Sequence, residues 1–360
     1  MEPKASRDIH APLRTLLFCA VVLLVTPTHA RDSTDIVVMR NGDRFTCQIK
    51  ALSSGVLYAS FDYIDGTVSL QWSKVARLES KQLFLVKTQD GFVYTGTLDT
   101  KEGEPGRPVE IQVIEAPDNE VTLDRARIVN LDQTSEKFWQ RFNGEVNWGI
   151  IYSKGNQSTQ YSLGSEVVYP RERWSAGATF TSTLSSSSGT SASTRNVIGF
   201  GVQRLLRWDN WFYTGLGDFL QSTEQGINLQ TNLAAGIGRY VKNTNRASIT
   251  VIGGFGWQNT KYNATSAQPN QNVAVGLLAT QVKLFKFKKT NLNVTASLFP
   301  AISQPGRAYF VINASYYVKL FSNLSWTTSF YGNWDSRPPG QLSGSDYGTN
   351  SGLSWTFGNR

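Results

Sequence analysis

The sequence is poor in the residues from which most catalytic and metal sites are built: its 360 residues include two histidines, two cysteines and two methionines. It also has no apolar run long enough to cross a bilayer as a helix, which takes about twenty residues. The longest, Leu16–Val25, has ten. That run follows Lys4, Arg7 and Arg14 and precedes Thr28-His29-Ala30, so residues 1–30 are expected to be a cleaved export signal. Cys19 does not make it a lipoprotein signal, because bulky Phe18 precedes it and apolar residues follow. Both histidines, His10 and His29, leave with the signal, and Cys47 and Met39 remain as the last of their kinds. Three cations and two acids leave too, taking the net charge from +8 to +7.

These shortages exclude whole classes of function. An exported chain with one cysteine forms no internal disulfide. Without histidine, the usual general base at neutral pH is missing. One cysteine cannot build a zinc or copper site of the His/Cys type. The chain is therefore expected to be no enzyme and to hold no cofactor and no metal. Glu145, Glu166, Asp218 and Glu224 are the remaining acids of interest, and they are read as partners in salt bridges rather than as catalysts. Gly199-Phe200-Gly201 and Gly236-Ile237-Gly238 are too short a signal for a dinucleotide site; small residues there suit a bent strand or a crowded interior.

What is present is a period of two. From Asn143 to Arg360 apolar residues recur at alternate positions: Val146, Trp148, Ile150 and Tyr152; Trp174, Ala176, Ala178 and Phe180; Ile249, Val251, Gly253, Phe255 and Trp257; Leu292, Val294, Ala296 and Leu298. Successive side chains of a strand point to opposite faces, so each segment has one apolar and one polar face. Twelve such segments can be counted, an even number, as single-chain bacterial barrels have. Every second connection is tight and polar (Pro170–Arg173, Arg207–Asn210, Lys242–Arg246, Lys286–Asn291, Phe321–Asn323), whereas the others include long runs rich in Ser, Gly, Pro and Asn. Short turns at one end and long loops at the other are the habit of transmembrane β-barrels. A soluble β-sandwich is the competing reading. Trp148, Trp174, Trp211, Trp257, Trp355 and Phe357 are candidate interface aromatics, since such rings favour the edge of the hydrocarbon layer. Arg171, Arg173, Arg207, Lys242, Arg246, Lys286, Lys288 and Lys289 gather at the short turns against only Glu172 and Asp209. They form a candidate basic periplasmic rim, contacting anionic headgroups of the inner leaflet or biasing passage toward anions, or else simply keeping the turns soluble.

Residues 31–133 read as a separate periplasmic β domain of two repeats, about 35–82 and 83–133. Val37, Asn41-Gly42, Phe45, Cys47 and Ile49 match Val86, Asp90-Gly91, Tyr94, Gly96 and Leu98; further on, Val68, Leu70, Val75 and Leu78 match Val121, Leu123, Ile128 and Leu131. Asn-Gly and Asp-Gly are hairpin signals, so each half is expected to be a small bent sheet of SH3-like or Sm-like size. Its basic residues are interspersed with acids and export removes RNA partners, so no nucleic acid is expected. A periplasmic protein or peptidoglycan is the expected partner of this domain; outer-membrane lipid and the barrel-assembly machinery are those of the barrel. Residues 134–142 are a linker in which Ser135 is a helix-cap candidate. Its Phe138, Trp139 and Phe142 either anchor the chain at the inner membrane interface or pack between the domains.

Two further stretches carry a resemblance. Lys154-Gly155-Asn156-Gln157-Ser158 precedes an alternating strand, and Arg207-Trp208-Asp209-Asn210-Trp211-Phe212-Tyr213 leads through Glu224–Thr231 to Ala235-Gly236-Ile237-Gly238-Arg239-Tyr240. This resembles the YdiY-like family of salt-induced outer-membrane proteins, a domain of unknown function, over about residues 143–360. The resemblance implies an outer-membrane barrel, porin-like in form, and carries no catalytic residues. The expected function is a structural or small-solute pore role; the alternative is a membrane-anchored binding module acting through the N-terminal domain.

Overall fold

Among the described residues the chain folds into β-strands and three short 3-10 turns, as its period-two patterning requires. The structure, a computed structural model, describes residues 33–100, 108–116, 119–133, 138–153, 158–171, 173–186, 191–206, 209–263, 270–286, 290–320, 324–338 and 344–357. The export-signal segment, Ser135, Arg207, Lys288 and Lys289 lie outside those residues. Residues Ser33–Arg360 form one compact unit.

The N-terminal part runs β1 (Asp35–Met39), β2 (Arg44–Ser53), β3 (Val56–Phe61) and β4 (Ile64–Gln71), then a 3-10 turn (Trp72–Lys74), then β5 (Val75–Thr88). The order then repeats through β6 (Val93–Thr100), β7 (Glu110–Ala116), β8 (Asn119–Asp124), a second 3-10 turn (Arg125–Arg127) and β9 (Ile128–Gln133). The long strand β5 serves both repeats: its first half pairs with β1 and its second with β6 and β9. Strand β9 also reaches across to β2, Leu131 opposite Leu52. The repeats consequently share one core, in which Val37, Ile49 and Leu78 of the first pack with Val86, Ile111 and Ile128 of the second, all fully buried.

The two 3-10 turns interlock. Trp72 and Arg125 occupy the same position of their repeats, and each reaches into the other's turn. The Trp72 indole donates to the Arg125 carbonyl at 3.0 Å. The Arg125 guanidinium donates to the carbonyls of Trp72 at 3.3 Å and Ser73 at 2.8 Å, and to that of Val75. Asp124 caps its turn by accepting from the Ala126 amide at 2.8 Å. Cys47 is fully buried in this core, and burial, with Asp35 nearby, pushes its thiol up to about 12. The thiolate is the reactive form. Cys47 is thus expected to resist maleimide in mildly alkaline buffer until the domain is unfolded in urea, and prompt labelling of the folded chain would contradict this burial.

From Asn143 the chain closes a barrel: β10 (Asn143–Ser153), β11 (Ser158–Pro170), β12 (Trp174–Ser186), β13 (Ser193–Leu205), β14 (Trp211–Ser222), β15 (Ile227–Asn243), β16 (Ala247–Tyr262), β17 (Gln271–Lys286), β18 (Thr290–Pro300), β19 (Ala308–Lys319), β20 (Leu324–Asp335) and β21 (Ser345–Phe357). Each pairs antiparallel with the next, and β21 returns to β10 with Trp355 opposite Val146. The ring has twelve strands and no open edge. The apolar parity points outward. Ile198, Phe200 and Val202 on β13, Val251 and Phe255 on β16 and Leu278 on β17 are exposed, Phe255 to 72%. A band of this size facing water would be a liability; facing acyl chains, it is the exterior of a transmembrane barrel. Toward the long loops the outward face turns polar, with Ser182, Asn196 and Gln221 hydrogen-bonded in a row across β12, β13 and β14.

Inward Gly199 and Gly238 sit against neighbouring side chains of the wall, whereas inward Gly201 has only an ordinary contact with Leu216 beside it. A Cβ on Gly238 would lie 2.3 Å from the ring of Phe212, which is itself buried and stacks on Tyr240 at 5.1 Å.

Candidate functional site: the lumen and its covered mouth

Parity along the strands decides which side chains face the lumen. Outward Trp174, Phe180 and Leu184 place Thr179 and Thr181 inside; the same reasoning places Glu166, Leu216 and Asn313 inside, and all five remain exposed. Side chains do not fill the middle of the barrel, so it holds space for solvent.

Near the long-loop end the lumen is crossed. Arg195 on β13 pairs with Asp346 on β21, Nε to Oδ2 at 3.4 Å, and its guanidinium lies 4.6 Å over the ring of Tyr331 on β20. Strands β13 and β21 stand four places apart in the ring of twelve, so this pair forms a chord through the interior rather than a contact along the wall. Its side chains are 16% and 3% exposed. A second ion pair stiffens the wall at the same end: Arg307 donates to both carboxylate oxygens of Asp335, at 3.1 and 2.6 Å, and to Gln271 and Gln304, each at 2.8 Å.

The four acids singled out from the sequence are scattered. Glu145 and Glu166 face each other in register on β10 and β11, and Glu145 accepts a hydrogen bond from the Tyr317 hydroxyl at 3.1 Å. Asp218 accepts from Asn232 at 2.7 Å, and Glu224 from Ser193 at 3.2 Å. The ion pairs that shape the lumen use Asp335 and Asp346 instead, together with Arg195 and Arg307. The sequence reading did not pick these out. Their signal was available as charge on the inward parity of otherwise alternating strands. Among the described residues no cluster of His, Cys, Asp and Glu is arranged to hold a metal ion.

At the short-turn end the N-terminal domain sits on the barrel. Asn210, in the turn after β13, donates its side-chain amide to the Gln89 carbonyl at 2.6 Å. Asn245, in the turn after β15, does the same to Ile128 at 2.8 Å. Lys319, ending β19, donates to the Ser69 hydroxyl at 2.6 Å and lies 5.6 Å over the ring of Tyr58. Strands β13 and β19 are six places apart in the ring of twelve, so the domain spans the mouth. Its glycine hairpin tips make the fit close. A Cβ on Gly91, at φ +83°, would lie 2.8 Å from Asn210 Oδ1, and one on Gly55, at φ +73°, 2.7 Å from the Asn245 carbonyl. The equivalent first-repeat glycine, Gly42, has open space beside it.

Between domain and barrel lies a chamber of about 220 Å³. Lys87 and Asn130 of the domain line it with Arg173, Gln203, Tyr240 and Lys283 of the barrel, and none of its described lining residues is a carboxylate.

The residues of the expected basic rim are thus divided. Arg173 lines the chamber, whereas Lys242 and Arg246 are exposed. Arg171 is also exposed and lies 5.7 Å over the ring of Tyr169. Lys286 ends β17, and its side chain falls outside the description. Of the aromatics, Trp148, Trp174, Trp257 and Trp355 are exposed on the outward face. Trp211 is partly covered and lies 5.7 Å beneath the Arg239 guanidinium, and the Phe357 side chain is outside the description. The linker aromatics join this outer collar: Phe138 and Phe142 pack on Tyr169 at 5.1 and 5.0 Å, and Tyr169 on Trp174 at 5.8 Å. Phe138 and Phe142 thus pack on the outer face of the barrel, and the Trp139 side chain lies outside the description.

Residues 146–357 match the family model described as "Protein of unknown function, DUF481". No curated protein matches the chain. Among solved structures, the translocator domain of the autotransporter NalP from Neisseria meningitidis is similar at 16% identity and a TM-score of 0.34, over 60% of this chain and 87% of that one. A porin is similar at 8% identity and 0.29, over 60% and 99%. A Pseudomonas aeruginosa FadL homologue is similar at 11% identity and 0.26, over 91% and 87%. At such scores the likeness carries no functional argument.

Proposed function

Given that the chain belongs to the DUF481 family, whose function is not known, we propose that it is a small-solute pore of the outer membrane, closed at rest by its own periplasmic N-terminal domain. One observation carries this reading: the domain covers a lumen that has room for solvent, yet it is held there by polar contacts. Among the described residues, the buried apolar core of the domain stops at its own boundary, and the junction consists of side-chain amide and ammonium hydrogen bonds around a chamber. Polar interfaces of this kind between domains permit relative motion. Release of the domain, after export by the N-terminal signal and insertion by the barrel-assembly machinery, is the opening step. No catalysis or cofactor enters this role.

Single-channel recording in planar bilayers tests it. The mature chain is expected to be mostly silent. Asn210→Ala/Asn245→Ala/Lys319→Met, which removes the three docking donors, is expected to give frequent openings, and deletion of residues 31–133 a steady conductance. Silence of both variants, with the barrel folded, would refute the pore. A second reading, an anchored binding module, is favoured by the aromatic row Phe45, Phe61 and Tyr63, with centroids 5.8 and 5.7 Å apart, which ends in a Tyr63 that is 73% exposed. It predicts loss of an envelope partner, protein or peptidoglycan, on Tyr63→Ser with conductance unchanged.

A further inference from the structure

The lumen wall carries a recess toward the long-loop end. Leu233 and Trp257 are exposed on the outward face, so Asn232 and Ala234 of β15 and Gly256 and Gln258 of β16 point inward. Asn232 stands in register with Gln258, and Ala234 with Gly256, which is in register with Val275 of β17. Ala234 carries a methyl and Gly256 no side chain, so the wall is low between the amides and Val275. Phe299 of β18 and Tyr309 of β19 pack against Val275 and raise the far side. Neighbouring strands lie about 4.8 Å apart, so the backbones of β16 and β18 are about 10 Å apart across the recess. One small molecule lying there meets the amides on one side and the rings on the other.

Asn232, Gln258, Val275, Phe299 and Tyr309 line a cavity of about 90 Å³. Gln258 is 7% exposed, and its Oε1 is buried without a hydrogen bond among the described residues. A buried acceptor in that state bears its full desolvation cost. A turn about the last, soft torsion of the side chain presents it to the cavity. Gln225 Oε1 and Asn333 Nδ2, on the same cavity, are also buried without a partner among the described residues. Asn232 donates to Asp218 at 2.7 Å, which fixes its amide and leaves Oδ1 as an acceptor.

The group that suits these amides is a hydroxyl rather than an ion. Among the described lining residues Asp335 alone is charged, and Arg307 holds both of its oxygens, at 3.1 and 2.6 Å. An entering ion would lose hydration and meet no free opposite charge. A cavity of roughly 150 Å³ admits benzene, so about 90 Å³ encloses part of a short chain.

We propose that this recess binds a short uncharged polyol, with its hydroxyls on the amides of Asn232 and Gln258 and its C–H face against Val275, Phe299 and Tyr309. Binding needs only the folded barrel. As the solute class of the proposed pore, it rests on that reading.

Saturation-transfer NMR of the mature chain in an amine-oxide detergent, which carries no sugar headgroup, tests the site with erythritol as the probe. Saturable transfer is expected, with half-saturation in the millimolar range and no competition from glycerol phosphate. Gln258→Leu should weaken binding about tenfold, as for one lost hydrogen bond. It should melt no lower than the parent, because that oxygen accepts nothing there; a purely structural glutamine would lower the melting temperature instead. Ala234→Leu, which fills the recess, should abolish transfer and is decisive if Gln258→Leu does not fold. Thr181→Val, inward on β12 beyond the Arg195–Asp346 chord, should bind as the parent does. Absence of saturable transfer in the parent, unchanged affinity in Gln258→Leu, equal loss in Thr181→Val or equal competition by glycerol phosphate overturns the site. Binding by a barrel that stays silent in bilayers refutes the pore alone, and conduction without binding refutes the recess alone.

Discussion

Arg125→Ala is expected to lower the stability of the N-terminal domain by about 3 kcal/mol, since hydrogen bonds to a charged group contribute about 1.5 to 3 kcal/mol each and the carbonyls of Ser73 and Val75 lose this donor together, while that of Trp72 keeps the Val75 amide. Arg125 is 7% exposed and reaches the carbonyls of Trp72, Ser73 and Val75, all in the opposite repeat. Water has poor access to these carbonyls once the guanidinium is gone, so the full desolvation cost remains. Arg125→Lys should rescue little, because an ammonium lacks the planar fork. Trp72→Phe gives the comparison: it keeps most of the apolar bulk and loses one indole bond, for about 1 kcal/mol beyond its packing loss. Urea titration read by proteolysis of the N-terminal domain, with the barrel held in detergent, measures all three. An unchanged midpoint for Arg125→Ala would mean that the interlock is not what joins the repeats. The effect should also reach the mouth of the lumen: the Ile128 carbonyl that accepts from Asn245 and the Ala126 carbonyl that accepts from Gln89 at 2.8 Å both adjoin this turn. Loosening Arg125 is therefore expected to raise the opening frequency as well.

The same residues show what a sequence of this kind discloses. Period-two alternation is local, so Val146, Trp148 and Ile150 declare their outward face without any knowledge of the neighbouring strand, and the twelve-strand count follows from repeating that reading. The offset of 53 between Trp72 and Arg125 places them at matching points of the two repeats. Nothing in an indole and a guanidinium at matching points says that each binds the other's backbone, because that depends on how β5 joins the halves. The rim shows the same limit. Arg171 and Arg173 are two residues apart, yet one lies over Tyr169 on the exterior and the other lines the chamber. Parity turns Arg171 outward with Tyr169 and Arg173 inward beside outward Trp174, but the chamber that Arg173 lines is closed by a domain from more than forty residues earlier in the chain. Asp90-Gly91 was legible as a hairpin; that its tip would rest on Asn210 was not, since the contact joins residues more than a hundred positions apart.

The chord at the other end of the lumen gives the second large effect. Asp346→Ala removes the carboxylate paired with the partly buried Arg195 guanidinium, which lies over Tyr331, and Arg195→Ala leaves the carboxylate of Asp346, whose side chain is 3% exposed, without its cation. Breaking one side of such a pair costs about 3 to 5 kcal/mol, much of it the cost of the stranded charge. Arg195→Ala/Asp346→Ala strands neither, so it should be less destabilising than the sum of the two, and thermal melting of the folded barrel in detergent will read the coupling. Its consequence for conduction follows from geometry. The chord crosses the lumen near the long loops while the N-terminal domain covers the opposite mouth, so the two act in series and neither alone sets the resistance. Removing the domain should leave a conductance limited by the chord, and removing the chord alone should change little while the domain stays docked. Combining Arg195→Ala/Asp346→Ala with deletion of residues 31–133 is expected to give the largest unitary current of the set. Equal currents with and without the chord, in the deleted background, would place the constriction elsewhere and leave Arg195 and Asp346 as a brace for the barrel wall.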